Sequence, residues 1–180
     1  VGVTVVELPD APRQPDGVVL EPDPAVPLPA EQAASRGVVA LREPLGEEPV
    51  VAVVHMLFRA FLRQDRDDLA RLATSDAVAL GPQASPLLER WQKMLAEHDY
   101  RRLSGMEVAR TDRIARYDYS DLGGPGAPAR PPSMHEGEIL VTVPIAVPRV
   151  SSEAFFSDVV VLVLRRDGQR FRIAGFGEDP

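Results

Sequence analysis

The sequence predicts an α+β domain: a curved antiparallel sheet wrapped on an N-terminal helical hairpin and a third helix. Three observations predict it. Residues 50–73 read VVAVVHMLFRAFLRQDRDDLARLA, an apolar helix, an acidic break and a second helix. A third helical pattern with one apolar face runs from Ser85 to His98. From Gly137 onward, valines and isoleucines recur at every second position, the period of strands.

Helix 1 should begin at Pro49, because the first helical position leaves its N–H unpaired anyway. Val50, Val53, Val54, Leu57, Phe58, Phe61 and Leu62 recur at three- and four-residue spacing and form a broad buried stripe. His55, Arg59 and Arg63 fall on the opposite side, a cationic line that reads as a solvated face or as an anion site. Asp65 should cap the second helix, with Asp67 and Asp68 in its first turn and Leu69 and Leu72 buried. Residues 75–82 leave that helix as a short extended piece. Ser85 and Pro86 then restart a helix as cap and first residue, placing Leu87, Leu88, Trp91, Met94, Leu95 and His98 on one face. His98 suits either the negative end of that helix or a catalytic role.

Residues 106–119 alternate unevenly and read as one strand. Ser120 to Ser133 carries three glycines and four prolines, so it is a long loop: a mobile hairpin connection, or a lid or partner contact. Ile139, Val141, Val143, Ile145 and Val147 share one strand face, and Val159, Val161 and Val163 share a face of the next. Asp167-Gly168 marks a tight turn into a last strand, where Phe171 and Ile173 oppose Arg170 and Arg172.

Residues 1–48 differ from the rest. Eight prolines and a balance of nine acidic against three basic side chains make them an acidic, proline-rich arm or linker, leaving 49–180 as the folded domain. The arm reads as a spacer, or as the donor of one extra strand to the body or to a partner's sheet edge. The chain begins with Val rather than Met, so it reads as processed or cut, and any export signal, lipid anchor or membrane helix would lie upstream; the expected location is the cell envelope or periplasm, with the cytoplasm as the alternative. An almost complete use of Arg over Lys, with no Asn, reads as the codon bias of a GC-rich bacterial genome.

A formal charge of −7 argues against nucleic-acid binding, which needs a concentrated cationic surface. The absence of cysteine excludes thiolate metal sites and a cysteine nucleophile. His55, His98 and His135 are too scattered for a metal motif, so neither metal nor cofactor is expected.

The order helix, acidic break, helix, Ser-Asp-Ala, third helix and closing strands resembles the nuclear transport factor 2-like superfamily. The matching stretches are Phe61-Leu-Arg-Gln-Asp65-Arg-Asp-Asp-Leu69, Ala73-Thr-Ser-Asp-Ala77 and Leu164-Arg-Arg-Asp-Gly-Gln-Arg-Phe-Arg-Ile-Ala-Gly175, within residues 49–180. The resemblance implies a cone-shaped roll with a cavity between sheet and helices. Its isomerases need a carboxylate base, and a tyrosine with a protonated acid to hold an oxyanion. At the corresponding positions this chain has Gly81, Leu57 and Val160, none ionisable. An Asp–Arg–Asp arrangement of the epoxide-hydrolase kind would need Arg110 or Arg113 between two of Asp76, Asp112 and Asp118, beside Tyr117.

The expectation is therefore a non-catalytic binding or assembly domain of a bacterial cell-envelope protein, tethered by the proline-rich arm and working through a protein partner or self-association as a dimer. The alternatives are a small-molecule enzyme of the cyclase, dehydratase or hydrolase type, and a carrier of a small apolar ligand. No catalytic residue is assigned. Leu57, Trp91, Tyr117 and Phe156 are the candidates to line a ligand cavity.

Overall fold

The structure, a computed structural model, describes residues 48–179. The arm therefore lies outside the described residues, apart from Glu48. Three α-helices, α1 (Pro49–Arg63), α2 (Arg66–Leu72) and α3 (Leu87–Glu97), stand against a curved, unclosed sheet. The strands are β1 (Ala73–Ala79), β2 (Ser85–Pro86), β3 (Ala115–Asp118), β4 (Ile139–Pro144), β5 (Arg149–Val150), β6 (Glu153–Ala154), β7 (Val159–Asp167) and β8 (Arg170–Asp179). Six of them form one sheet in the order β2-β1-β8-β7-β4-β3, and β5 with β6 makes a small hairpin. The α+β class read from the sequence is thus the class observed.

The hairpin of α1 and α2 closes as its residues require. Gln64 adopts a left-handed φ of 55°, and the Asp65 N–H reaches back to the Ala60 carbonyl at 2.9 Å, ending α1. Asp65 then accepts the Asp68 N–H at 3.0 Å, capping α2 as expected. The Gln64 side chain accepts the Tyr100 N–H at 2.8 Å, which fixes the chain after α3 against this corner.

Several local expectations are corrected. Pro86 is extended, at φ −56° and ψ 132°, because Ser85 and Pro86 pair with Ala79 and Val78; α3 starts one residue later, without a side-chain cap. Leu88 sits at the margin of the Leu87, Trp91, Met94 and Leu95 stripe and is exposed. Only Ala115–Asp118 of the expected 106–119 strand is a full strand, since a 3-10 turn at Thr111–Arg113 interrupts the pairing. One strand pair is parallel: Ala73 lies opposite Ile173 and Ala79 opposite Phe176. This pairing draws Leu80 across Gly175 and Gly177, where an added Cβ would meet its side chain at 2.9 Å. Glycine in a strand here marks a close approach.

The sheet bends at a bulge where the β7–β8 register slips between Val163 and Leu164. Both of its faces are covered. On the concave face lie Val160, Leu162, Leu164, Ile173 and Phe176, against α1 and α3. On the other face Leu140, Val163 and Ala174 meet Leu122 and Met134, both from the segment between β3 and β4. The long loop is thus a packed cover over the sheet. Arg130 pins it, donating to the carbonyls of Tyr119 and Leu122 at 3.1 Å each and stacking over the Tyr119 ring at 4.2 Å.

Candidate functional site

The space between α1, α3 and the sheet is a packed core. Phe61 is its centre, with ring centroids of Tyr100 at 5.1 Å, Phe156 at 5.4 Å, Trp91 at 6.1 Å and Phe176 at 6.3 Å. Such edge-on and tilted contacts fill volume as an apolar interior does. Of the three positions to which the sequence resemblance would assign an isomerase's proton-handling groups, Leu57 and Val160 are fully buried in this core, and Gly81 is exposed in a surface turn. The one buried charged residue among those described, Glu138, belongs elsewhere.

Leu57, Trp91 and Phe156, expected to line a cavity, do come together, but as members of this core. Tyr117 does not join them; it packs beside Leu122 and Met134 on the opposite face of the sheet. Phe156 alone also reaches a surface groove of about 530 Å³ at the end of α3.

That groove gathers the polar groups closest to the core. Glu178 pairs with Arg90 at 2.9 Å and accepts the Ser157 N–H at 2.8 Å. His98 closes α3 with its backbone N–H on Met94, while its side chain leaves the helix end: Nδ1 lies 2.8 Å from Glu153, which Arg102 also engages. His98 stands at the C-terminal end of α3, and its ring is engaged there by Glu153 of the β5–β6 hairpin. Tyr100 donates its hydroxyl to the Phe155 carbonyl at 3.1 Å. Burial pushes its pKa well above the usual tyrosine range, with the Glu178 carboxylate adding to the effect, so the hydroxyl stays a donor. A histidine oriented by a carboxylate is half of an acid–base relay. Among the described residues no hydroxyl is hydrogen-bonded to His98.

An acid–arginine–acid arrangement does exist, with partners other than those expected. Arg110 pairs with the neighbouring Asp112 at 3.5 Å on the surface, and Asp118 caps its own 3-10 turn. Asp76 instead receives two hydrogen bonds from Arg165, at 3.0 and 3.2 Å, and Arg165 also donates to buried Glu138 at 2.8 Å. Glu138 accepts the His135 N–H at 2.7 Å as well. Asp76 is held below the usual carboxylate range, at about 2, first by the Arg165 hydrogen bonds and then by Thr74. This cluster ties β1 and β7 to the start of β4. Sequence reading missed Arg165 and Glu138; the only signal was a charged pair, Arg165-Arg166, ending an otherwise apolar strand.

Among the described residues no group of three His, Cys, Asp or Glu side chains could hold a metal ion. No described helix is long and apolar enough to cross a membrane.

No protein-family model and no curated protein matches this sequence. Solved structures do. A nuclear transport factor 2-like protein from Pseudomonas putida is 13% identical, with a TM-score of 0.45 over 76% of this chain and 88% of its own. A protein of cystatin-like fold from Nostoc punctiforme is 11% identical, with a TM-score of 0.41 over 73% of this chain and 90% of its own. An epoxide hydrolase from M. tuberculosis is 18% identical, with a TM-score of 0.30 over 73% of this chain and 79% of its own. The solved structures that resemble this chain thus include both nuclear transport factor 2-like proteins and an enzyme, and no activity is carried across from them.

Proposed function

We propose that this domain is a non-catalytic binding or assembly module. One observation carries the reading: the interior, where a cone of this kind would house its chemistry, is closed by Leu57, Phe61, Trp91, Phe156, Val160 and Phe176, each at most 3% exposed. A general acid or base must reach the proton it moves. Here the interior offers none, and the polar groups of the α3 groove are already paired with one another. Recognition then falls to the outer surface. We further propose that residues 1–48 tether the module in the bacterial cell envelope; their acidic, proline-rich composition supports the spacer part of this reading.

The test is turnover. The full chain, assayed for isomerisation of a β,γ-unsaturated ketone and for epoxide hydrolysis, should show no rate above buffer, and His98→Ala and Glu153→Gln should change nothing. A measurable rate that either substitution abolishes would sink the reading and place the chemistry in the α3 groove.

A further inference from the structure

Where α1, α2 and the β7–β8 turn meet, a surface trough of about 470 Å³ is lined by five arginines and two aspartates. That is a local excess of positive charge on a chain of net charge −7. Arg59 and Arg63 stand one turn apart on α1, a spacing of about 6 Å between side-chain origins. Arg170 and Arg172 stand two residues apart on β8, a spacing of about 7 Å. The trough therefore carries one arginine pair from the helix and one from the strand.

Pairing within the domain neutralises little of this charge. Arg71 is bound to Asp68. Among the described residues the side chains of Arg59, Arg63 and Arg170 have no ion-pair or hydrogen-bond partner. Arg172 donates from Nη2 to the Ala73 carbonyl at 2.7 Å, and its Nε is buried without a partner, so its charge meets only a neutral acceptor. Clustered like charges repel unless an anion lies between them. Met56, Leu72 and Phe171 add an apolar surface to the same trough.

We propose that this trough docks an acidic peptide segment of a partner protein. Two or more Asp or Glu carboxylates of the peptide meet the two arginine pairs, since guanidinium forks match carboxylates in two-point contacts. An apolar side chain between them lies on Met56, Leu72 and Phe171. Asp167 and the Arg71–Asp68 pair break up the positive surface, which suits carboxylates spaced along a peptide. Arg59 and Arg63 of the cationic line on α1 are thus half of the site, and β8 supplies the other half.

The site stands apart from the non-catalytic reading: a peptide that fails to bind leaves the packed interior as it is, and turnover would leave the trough's charge unexplained. A fluorescein-labelled peptide of glutamate pairs separated by single leucines is titrated into the full chain and followed by anisotropy. Binding is expected, weakened about tenfold or more by Arg63→Glu with Arg170→Glu. It should be unchanged by Arg149→Glu, an exposed arginine outside the trough. The glutamine version of the peptide should bind at least about tenfold more weakly. Circular dichroism confirms that each variant is folded. No binding, equal weakening by Arg149→Glu, or equal binding of the glutamine peptide overturns the site. So does tighter binding in the trough of inorganic pyrophosphate or of a single-stranded oligonucleotide, either of which assigns it to phosphate.

Discussion

Asp76 links one side chain to a pH range. Its pKa is depressed to about 2 by Arg165, against about 3.9 for an unperturbed aspartate. A depressed carboxylate stabilises the fold fully above its unfolded pKa, and the contribution is lost as pH falls through the folded one. The window here is thus roughly pH 4 down to 2. Asp76 is more than half exposed, so solvent screening reduces the effect to about 1 kcal/mol or less. Asp76→Asn should cost that much at pH 7 and almost nothing at pH 2, measured by urea unfolding at both. Equal losses at the two pH values would show that the Arg165 contact is not the cause. At the same scale, Leu57→Ala should cost about 2–5 kcal/mol, because the side chain is fully buried in the core.

Among the elements, the loop between β3 and β4 departs furthest from what its composition suggests. Its prolines and glycines announce irregular backbone, and they do not reveal that Leu122 and Met134 bury themselves on the sheet. Two isolated apolar residues carry no periodicity, so no local pattern points to their partner. Arg130→Ala should remove two hydrogen bonds and a cation–π contact, costing about 1–2 kcal/mol and raising amide exchange across residues 122–134. Unchanged exchange would mean that the cover holds without its pin. The parallel β1–β8 pair was equally hidden, since Ala73 and Ile173 meet across a hundred residues. Gly175 and Gly177 gave a faint sign of it. Gly177→Ala should destabilise by about 1–3 kcal/mol, because the new methyl meets Leu80 Cβ, which cannot swing away as a side-chain tip could. A neutral result in thermal unfolding would show that Leu80 shifts freely. By contrast, α1, the Asp65 cap and the β7–β8 hairpin were legible, since a 3.6-residue stripe, a cap and an Asp-Gly turn are local signals.

For the whole molecule, the sequence marked Leu57 and Val160 as lacking acid or base, but it showed neither that Gly81 lies at the surface nor whether the interior is hollow. Volume is set by how Phe61, Trp91, Tyr100, Phe156 and Phe176 interlock, and those residues come from four separate parts of the chain. Leu57, Trp91 and Phe156, named as cavity-lining candidates, lie in the packed core, and Tyr117 lies across the sheet from them. Self-association through the outer sheet face would have to use what the Leu122–Met134 cover leaves bare, and light scattering measures whether it does.

The central claim is that this interior is full. Benzene titrated into the protein, with the methyl signals of Leu57 and Val160 followed by NMR, tests it most directly. The native chain should show no saturable shift at either residue, and Phe61→Ala, where it remains folded, should show one, as dry engineered cavities bind such probes. Saturable shifts in the native protein would contradict a packed core and reopen the interior as a ligand site.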